Sequence, residues 1–227
     1  MYHRHQAIHD RVHRGQSLVS IQSPYQTIEF DMTNKGLGLF LNDEMQFVEQ
    51  YERIYHHALA GTPFNLNPLI QKALILGGGD GLAARTILDY KPNASVAIAE
   101  LDPLMIHMCQ RFLPMINLNK GSLHRTTNVI DDAQKTIRKI PNGSVDLVIC
   151  DFPDRNLGTL SLYGPHMYSE IFRVLKKDGV VSAYTGGVLH DIMSTVHNQF
   201  GNHRIMQAQI DGFTKCPIIQ GVKTCLP

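Results

Sequence analysis

The sequence predicts an α/β protein: a Rossmann-like, doubly wound parallel sheet preceded by a small antiparallel β unit. Three observations predict it. Beyond about residue 65, short apolar runs alternate with amphipathic segments; the first of these runs ends in the glycine-rich turn Gly77-Gly78-Gly79-Asp80-Gly81; and before residue 60 the pattern is one of strands separated by tight turns.

In the N-terminal part, strand-like runs cover Ser17 to Ile21, Gln26 to Met32 and Leu37 to Leu41, with turn signals at Ser23-Pro24 and Asn34-Lys35-Gly36. A polar, helix-compatible stretch from Glu44 through Ala60 follows, closed by Gly61-Thr62-Pro63. The expected division is therefore residues 1–65, a β-strand domain serving oligomerisation and as a lid, and residues 66–227, a Rossmann-like catalytic domain.

The parallel sheet is expected from runs at Lys72 to Leu76, Ser95 to Ala99, Leu123 to Thr127, Val145 to Cys150 and Gly179 to Tyr184. Parallel strands covered on both faces read as continuous apolar runs rather than alternating ones. Helices are expected between and after them, at Leu82 to Asp89, Pro103 to Leu113, Asp132 to Ile140, Pro165 to Leu175 and Val188 to Phe200. Ligands of such sheets sit at the carboxyl ends of the strands.

Bulk properties narrow the ligand. A 227-residue chain with 43% hydrophobic residues can bury a core, and its formal charge of +1, without a long basic run, argues against nucleic acid or an anionic membrane as partner. No signal-peptide pattern or long apolar span is present, so cytoplasmic residence is expected. Cys109, Cys150, Cys216 and Cys225 form no CxxC pair and read as reduced thiols; no metal site is expected. His5, His9 and His13 recur every four residues and read as a polar helix, not a metal site.

Glycines 77, 78 and 79 permit a tight turn and close approach of a ligand to the backbone. Glu100, 23 positions beyond Gly77 at the end of the second run, stands where an acidic residue takes ribose hydroxyls. Around them, Asp80, Glu100, Asp102, Asp131, Asp132, Asp151 and Asp154 all fall at or just after strand ends. So many carboxylates on one rim imply a cationic ligand and exclude a pyrophosphate. A sulfonium nucleoside fits, with an amine as second substrate. Asp102 and Asp132 are the members of the group that also read as helix N-caps. In Asp151-Phe152-Pro153-Asp154, one carboxylate is suited to hold an ammonium and take its proton, freeing the lone pair for attack.

These residues resemble the polyamine aminopropyltransferases, spermidine synthase and its relatives. The resemblance runs from about Ser23 to Tyr184 and rests on Ser23-Pro24-Tyr25-Gln26, Tyr55-His56, Leu76 to Gly81, Glu100-Leu101-Asp102-Pro103, Asp131-Asp132-Ala133, Asp151 to Asp154, and Leu162-Tyr163 to Tyr168. It implies the S-adenosylmethionine methyltransferase type of fold. The implied reaction moves the aminopropyl group of decarboxylated S-adenosylmethionine, a co-substrate rather than a tightly bound cofactor, to a polyamine such as putrescine, releasing methylthioadenosine. It also implies roles: Gln26 and Asp80 for the donor's aminopropyl end, Glu100 for the ribose, and Asp131 with the Asp132–Ala133 backbone for adenine. Asp151 becomes the base or ammonium anchor, Asp154 and Tyr55 place the acceptor, and His56 lines its pocket. Apart from the resemblance, Tyr163 and Tyr168 either close over the site or pack the next helix, with Tyr163 expected to close. Family members usually pair, so a homodimer or homotetramer through the β unit is expected.

Some positions depart from the family pattern. Leu82 follows Gly81 where another glycine is common, His57 replaces an acidic residue, Arg155 adds a positive charge beside the amine site, and Gly212 to Pro217 stands where an aromatic usually enters the acceptor pocket. Two alternatives follow: a methyltransferase using the intact cofactor, and a catalytically silent nucleoside- or polyamine-binding relative. The carboxylate of intact S-adenosylmethionine would be repelled by Asp80, which favours the aminopropyl donor.

Overall fold

The structure, a computed structural model, describes residues 12–153, 159–185, 189–201, 203–210 and 214–224. Two sheets organise it. The first is a four-stranded antiparallel meander of β1 (Arg14–Gln22), β2 (Thr27–Thr33), β3 (Gly36–Leu41) and β4 (Glu44–Val48). β4 corrects the sequence reading, which placed Glu44 at the start of a helix. Met45 and Phe47 are buried while Glu44 and Gln46 are exposed, the two-residue period of a strand. The turn before it places Asn42 and Asp43 at positive φ, the conformation of a tight β-hairpin.

Helix α1 (Glu49–His56) follows, and runs into a π-helical turn (His57–Gly61) and a short 3-10 turn (Thr62–Asn65). The second sheet then begins. Its parallel strands are β5 (Lys72–Gly77), β6 (Ser95–Glu100), β7 (Thr127–Ile130), β8 (Val145–Asp151) and β9 (Leu175–Tyr184). β10 (His203–Ile210) and β11 (Thr214–Val222) form a hairpin on the β9 edge, giving the order β10-β11-β9-β8-β5-β6-β7. This is the Rossmann-like sheet expected, with the S-adenosylmethionine methyltransferase order and an antiparallel edge that the five-strand reading lacked. Successive strands step outward from β5 to β7, then restart with β8 on the other side of β5. The switch point therefore lies between β5 and β8.

Both faces of this sheet are covered. Along β5, Ala73 and Ile75 join the core shared with the N-terminal sheet, whereas Leu74 and Leu76 enter a second core. β8 divides the same way, with Leu147 and Ile149 on one face and Val148 and Cys150 on the other. Helices α2 (Leu82–Tyr90), α3 (Pro103–Arg111) and α4 (Leu113–Asn119) contribute to the first core, and α5 (Ala133–Lys139), α6 (Pro165–Val174) and α7 (Leu189–Phe200) to the second.

Two further boundaries differ from expectation. The helix expected over residues 103–113 breaks at Phe112, which is extended, because Pro114 is tolerated only in the first turn of a new helix. Leu123, expected in a strand, lies in the 3-10 turn Ser122–His124 and is buried from there, so an apolar residue plugging the core from a turn mimicked the start of β7.

Candidate functional site

The carboxyl ends of β5, β6 and β8 define the site. β5 runs into Gly77, Gly78 and Gly81, all at positive φ, which only glycine adopts without strain. Gly77 pairs in register with Asp151 of β8, and a Cβ at Gly77 would lie 2.3 Å from the Asp151 carbonyl oxygen. The glycine lets the two central strand ends meet. At Gly79 a Cβ would fall 2.7 Å from Glu100 Oε2, which instead accepts the Gly79 N–H at 3.2 Å. Glu100 Oε1 accepts the Asp102 N–H at 2.9 Å. Burial outweighs these bonds and raises the Glu100 carboxyl to about 7.

Asp80 closes the turn by accepting the Leu82 N–H at 2.8 Å. Burial, reinforced by the negative charge of Asp151 and opposed by His56, raises its carboxyl to about 6. Asp151 is raised in the same direction by burial, against the pull of His56 and of a 2.7 Å hydrogen bond from the Tyr55 hydroxyl. Burial and the adjacent Asp151 push the Tyr55 hydroxyl well up, which keeps it a neutral donor. Its ring meets those of His56 at 5.0 Å and Tyr184 at 5.8 Å, both edge-on. Asp80, Asp151, Tyr55 and His56, brought from three segments of the chain, thus share one half-buried corner.

His56 is anchored from behind. Its Nδ1 lies 3.0 Å from Glu52 Oε2 and 2.8 Å from the Glu52 carbonyl oxygen. Glu52 is fully buried and held by both terminal nitrogens of Arg85, at 2.8 and 2.9 Å. Burial works to lower His56, but the Glu52 bond and the charges of Asp80 and Asp151 prevail and raise it. Glu52 is driven down to about 2, its hydrogen bonds from His56 and Arg85 overcoming the burial penalty.

The sequence reading missed Glu52 and Arg85. Glu52 was legible, four positions before His56 and so on the same helix face. Arg85 was not, since 33 residues separate it from Glu52.

The seven-carboxylate rim sorts into different uses. Asp102 and Asp132 cap α3 and α5, accepting the N–H groups of Leu104 and Lys135. Asp131 is paired with Lys139 at 2.7 Å, which together with the Asp132 N–H holds it low. Asp131 Oδ1 takes the Asp132 N–H at 2.9 Å, and among the described residues the amides of Ala133 and Gln134, the first two of α5, have no hydrogen-bond partner. Asp154 and Arg155 lie outside the described residues, as do His5, His9, Cys225, Gly212 and Phe213. Three carboxylates, Asp80, Glu100 and Asp151, remain half-buried, without a salt bridge to Lys or Arg among the described residues, and raised.

Other expected positions resolve differently. Gln26 is half-buried, and its amide nitrogen donates to Asp102 Oδ2 at 3.1 Å. Tyr163 is buried, and its hydroxyl donates to the Pro153 carbonyl at 2.5 Å, bracing the turn after β8. His57 turns away from the site, bonding the Tyr90 hydroxyl at 3.0 Å in a stack continued by Phe64.

Comparison with known proteins places this geometry. The family model described as the spermine/spermidine synthase domain matches residues 52–209. A polyamine aminopropyltransferase of Thermoplasma volcanium is 36% identical over 173 residues, covering 74% of this chain and 62% of that protein. One of Clostridium acetobutylicum is 30% identical over 166 residues, covering 72% and 58%. The chain thus spans about three-fifths of the length of these relatives. Among solved structures, a spermidine synthase in complex with the transition state analogue AdoDATO superposes with a TM-score of 0.85 at 25% identity, over 94% of this chain and 76% of that one. Spermidine synthase from Thermotoga maritima superposes at 0.80 with 26% identity, over 94% and 74%. With most of its length matched by the family model and its fold shared with these enzymes, the chain belongs to the spermine/spermidine synthase family.

Proposed function

We propose that the protein is an aminopropyltransferase that moves the aminopropyl group of decarboxylated S-adenosylmethionine to a polyamine acceptor such as putrescine. The observation that carries this reading is that Asp80 and Asp151 share one half-buried corner, their hydrogen bonds coming from a backbone N–H and a phenol. Two raised carboxylates call for cationic ligands, and the reaction supplies two: the ammonium of the donor's side chain and that of the acceptor.

In this reading Asp80, with Gln26, holds the donor ammonium, Glu100 the ribose, and Asp131 with the Asp132–Ala133 backbone the adenine. Asp151 accepts a proton from the acceptor ammonium, Tyr55 orients Asp151, and His56, Asp154 and Tyr163 complete the acceptor side. The freed nitrogen lone pair forms a bond to the donor carbon attached to sulfur. The carbon–sulfur bond breaks with its electron pair going to sulfur, so methylthioadenosine leaves as a neutral thioether. Such a leaving group needs no proton, and alignment supplies much of the rate. Residues 1–65 and 66–227 form the assembly and catalytic domains, the chain pairs as a homodimer or homotetramer through the N-terminal sheet, and the protein works in the cytoplasm. Support for the pairing is that β1 is an edge strand. Support for the compartment is that Cys109 and Cys150 are buried thiols outside any disulfide.

The test is release of methylthioadenosine from donor plus putrescine, spermidine or cadaverine in turn. Release with one of the amines is expected. No release with any of them transfers the case to a silent relative. Tighter calorimetric binding of intact S-adenosylmethionine than of the decarboxylated form transfers it to a methyltransferase.

A further inference from the structure

The N-terminal sheet touches the strand-end site through one carboxylate. The turn between β1 and β2 is closed by Ser23, whose Oγ accepts the N–H groups of Tyr25 and Gln26 at 3.0 Å each. The hydroxyl proton has two acceptors in reach, Asp102 Oδ2 at 2.7 Å and the Gln26 carbonyl oxygen at 3.0 Å, and the shorter contact, to a carboxylate, is the stronger. The same Oδ2 receives the Gln26 amide nitrogen, and Oδ1 receives the Leu104 N–H at 3.0 Å. Asp102 is 1% exposed, and its own N–H goes to Glu100, which in turn holds Gly79 beside Asp80. A continuous chain of hydrogen bonds therefore leads from Gln26 to the glycine turn.

A side-chain amide has one end that donates and one that accepts, and nothing in a glutamine by itself decides which faces a ligand. A carboxylate accepts only. Once Asp102 takes the amide nitrogen of Gln26, the other end of that amide is the carbonyl oxygen. Among the described residues no protein group donates to it.

Building on the function proposed above, we infer that Asp102 is a positioning residue that locks the Gln26 amide with its carbonyl oxygen free for the donor. It thereby makes the site select an ammonium-terminated side chain over one that also ends in a carboxylate. A carbonyl oxygen accepts from an ammonium and repels a carboxylate, whereas a rotated amide would offer the carboxylate an N–H. Asp80 supplies charge discrimination; the Asp102–Gln26 pair adds a directional one.

The experiment is calorimetric titration of the wild type, D102N and D102N/Q26E with three probes: decarboxylated S-adenosylmethionine, S-adenosylmethionine, and methylthioadenosine, which lacks the side chain. An asparagine side chain can donate as well as accept, so in D102N the Gln26 amide is free to rotate. The expected result is a fall of about tenfold in the preference for the decarboxylated form, the size of one directed hydrogen bond, with methylthioadenosine binding unchanged. In D102N/Q26E the partners exchange roles, the introduced amide donating to an introduced carboxylate that can only accept, and the preference returns. An unchanged preference in D102N, equal weakening of all three probes, or no recovery in the double variant overturns the inference. A wild type that does not prefer the decarboxylated form overturns the functional reading itself, and this inference with it.

Discussion

The hydroxyl of Tyr55 donates to Oδ1 of Asp151 at 2.7 Å, joining residues 96 positions apart in the chain. One comes from α1, below the N-terminal sheet, and the other from the end of β8 at the switch point. The bond stabilises the charged form of Asp151, and so opposes the burial that raises it. Tyr55→Phe removes that opposition. The acid limb of the pH–rate profile is expected to move to higher pH, with turnover at neutral pH reduced by roughly 10- to 100-fold. Asp151→Asn is expected to abolish turnover and leave donor binding nearly intact. A Tyr55→Phe enzyme with the wild-type pH profile would remove Asp151 from the role of base.

Asp80 carries a cost to folding. Its folded-state value, about 6, lies above its ordinary 3.8, so the folded form is fully favoured only below the ordinary value and loses stability as pH rises to about 6. Asp80→Asn keeps an oxygen for the Leu82 N–H without the charge. It is expected to stabilise the protein by about 1–3 kcal/mol at pH 8 and by almost nothing at pH 4, measured by urea unfolding. The same substitution is expected to weaken donor binding while leaving methylthioadenosine binding unchanged, measured by calorimetric titration.

The same titration appears in ligand binding. As pH falls through about 6, Asp80 takes up a proton and its attraction for an ammonium disappears. The ratio of donor affinity to methylthioadenosine affinity is expected to drop over that range. The ratio cancels the titration of Glu100, which the proposed function assigns to the ribose common to both. A ratio constant from pH 5 to pH 8 would place the ammonium elsewhere.

Arg85 supports the site from the interior. Arg85→Ala strands the buried Glu52 carboxylate and is expected to cost about 3–5 kcal/mol. Because Glu52 is held at about 2, below its ordinary 4.5, its contribution is present above pH 4.5 and is lost as pH falls toward 2. Wild type and Arg85→Ala should therefore converge in stability under acid, in denaturant titrations at successive pH values.

His57, which replaces the family's acidic residue, stacks on Tyr90 outside the site. His57→Glu is expected to change kcat/KM by no more than about twofold, the range of an exposed substitution away from a site. A large change would restore it to the acceptor pocket. Gly77→Ala is the opposite case. The added methyl meets the Asp151 backbone at 2.3 Å, at a φ of +80°, and both stability and turnover should collapse together.

Much of this architecture was legible in the residues themselves. Apolar runs such as Leu74–Leu76 and Leu147–Cys150 are written by burial on both faces. Local turns are written by glycine and by short polar side chains. Hence the glycine turn, Glu100 at the end of β6, and the capping alternative for Asp102 and Asp132 could be read before any coordinates. β10 and β11 could not: their place beside β9 depends on pairing between distant segments, and hydrogen-bonded edges leave no periodic mark that distinguishes one partner from another.

The sequence by itself determined which residues are chemically able to act, and at which strand ends they stand. Only the tertiary structure decided which of the six described acids are left half-buried without a salt bridge, that His56 leans on Glu52 and through it on Arg85, that Tyr163 braces a turn, and that Asp102 accepts the Gln26 amide. The physical reason is that a side chain's identity fixes what it can donate or accept. Its charge state and direction are fixed by neighbours in space, and those neighbours are tens of residues away in the chain.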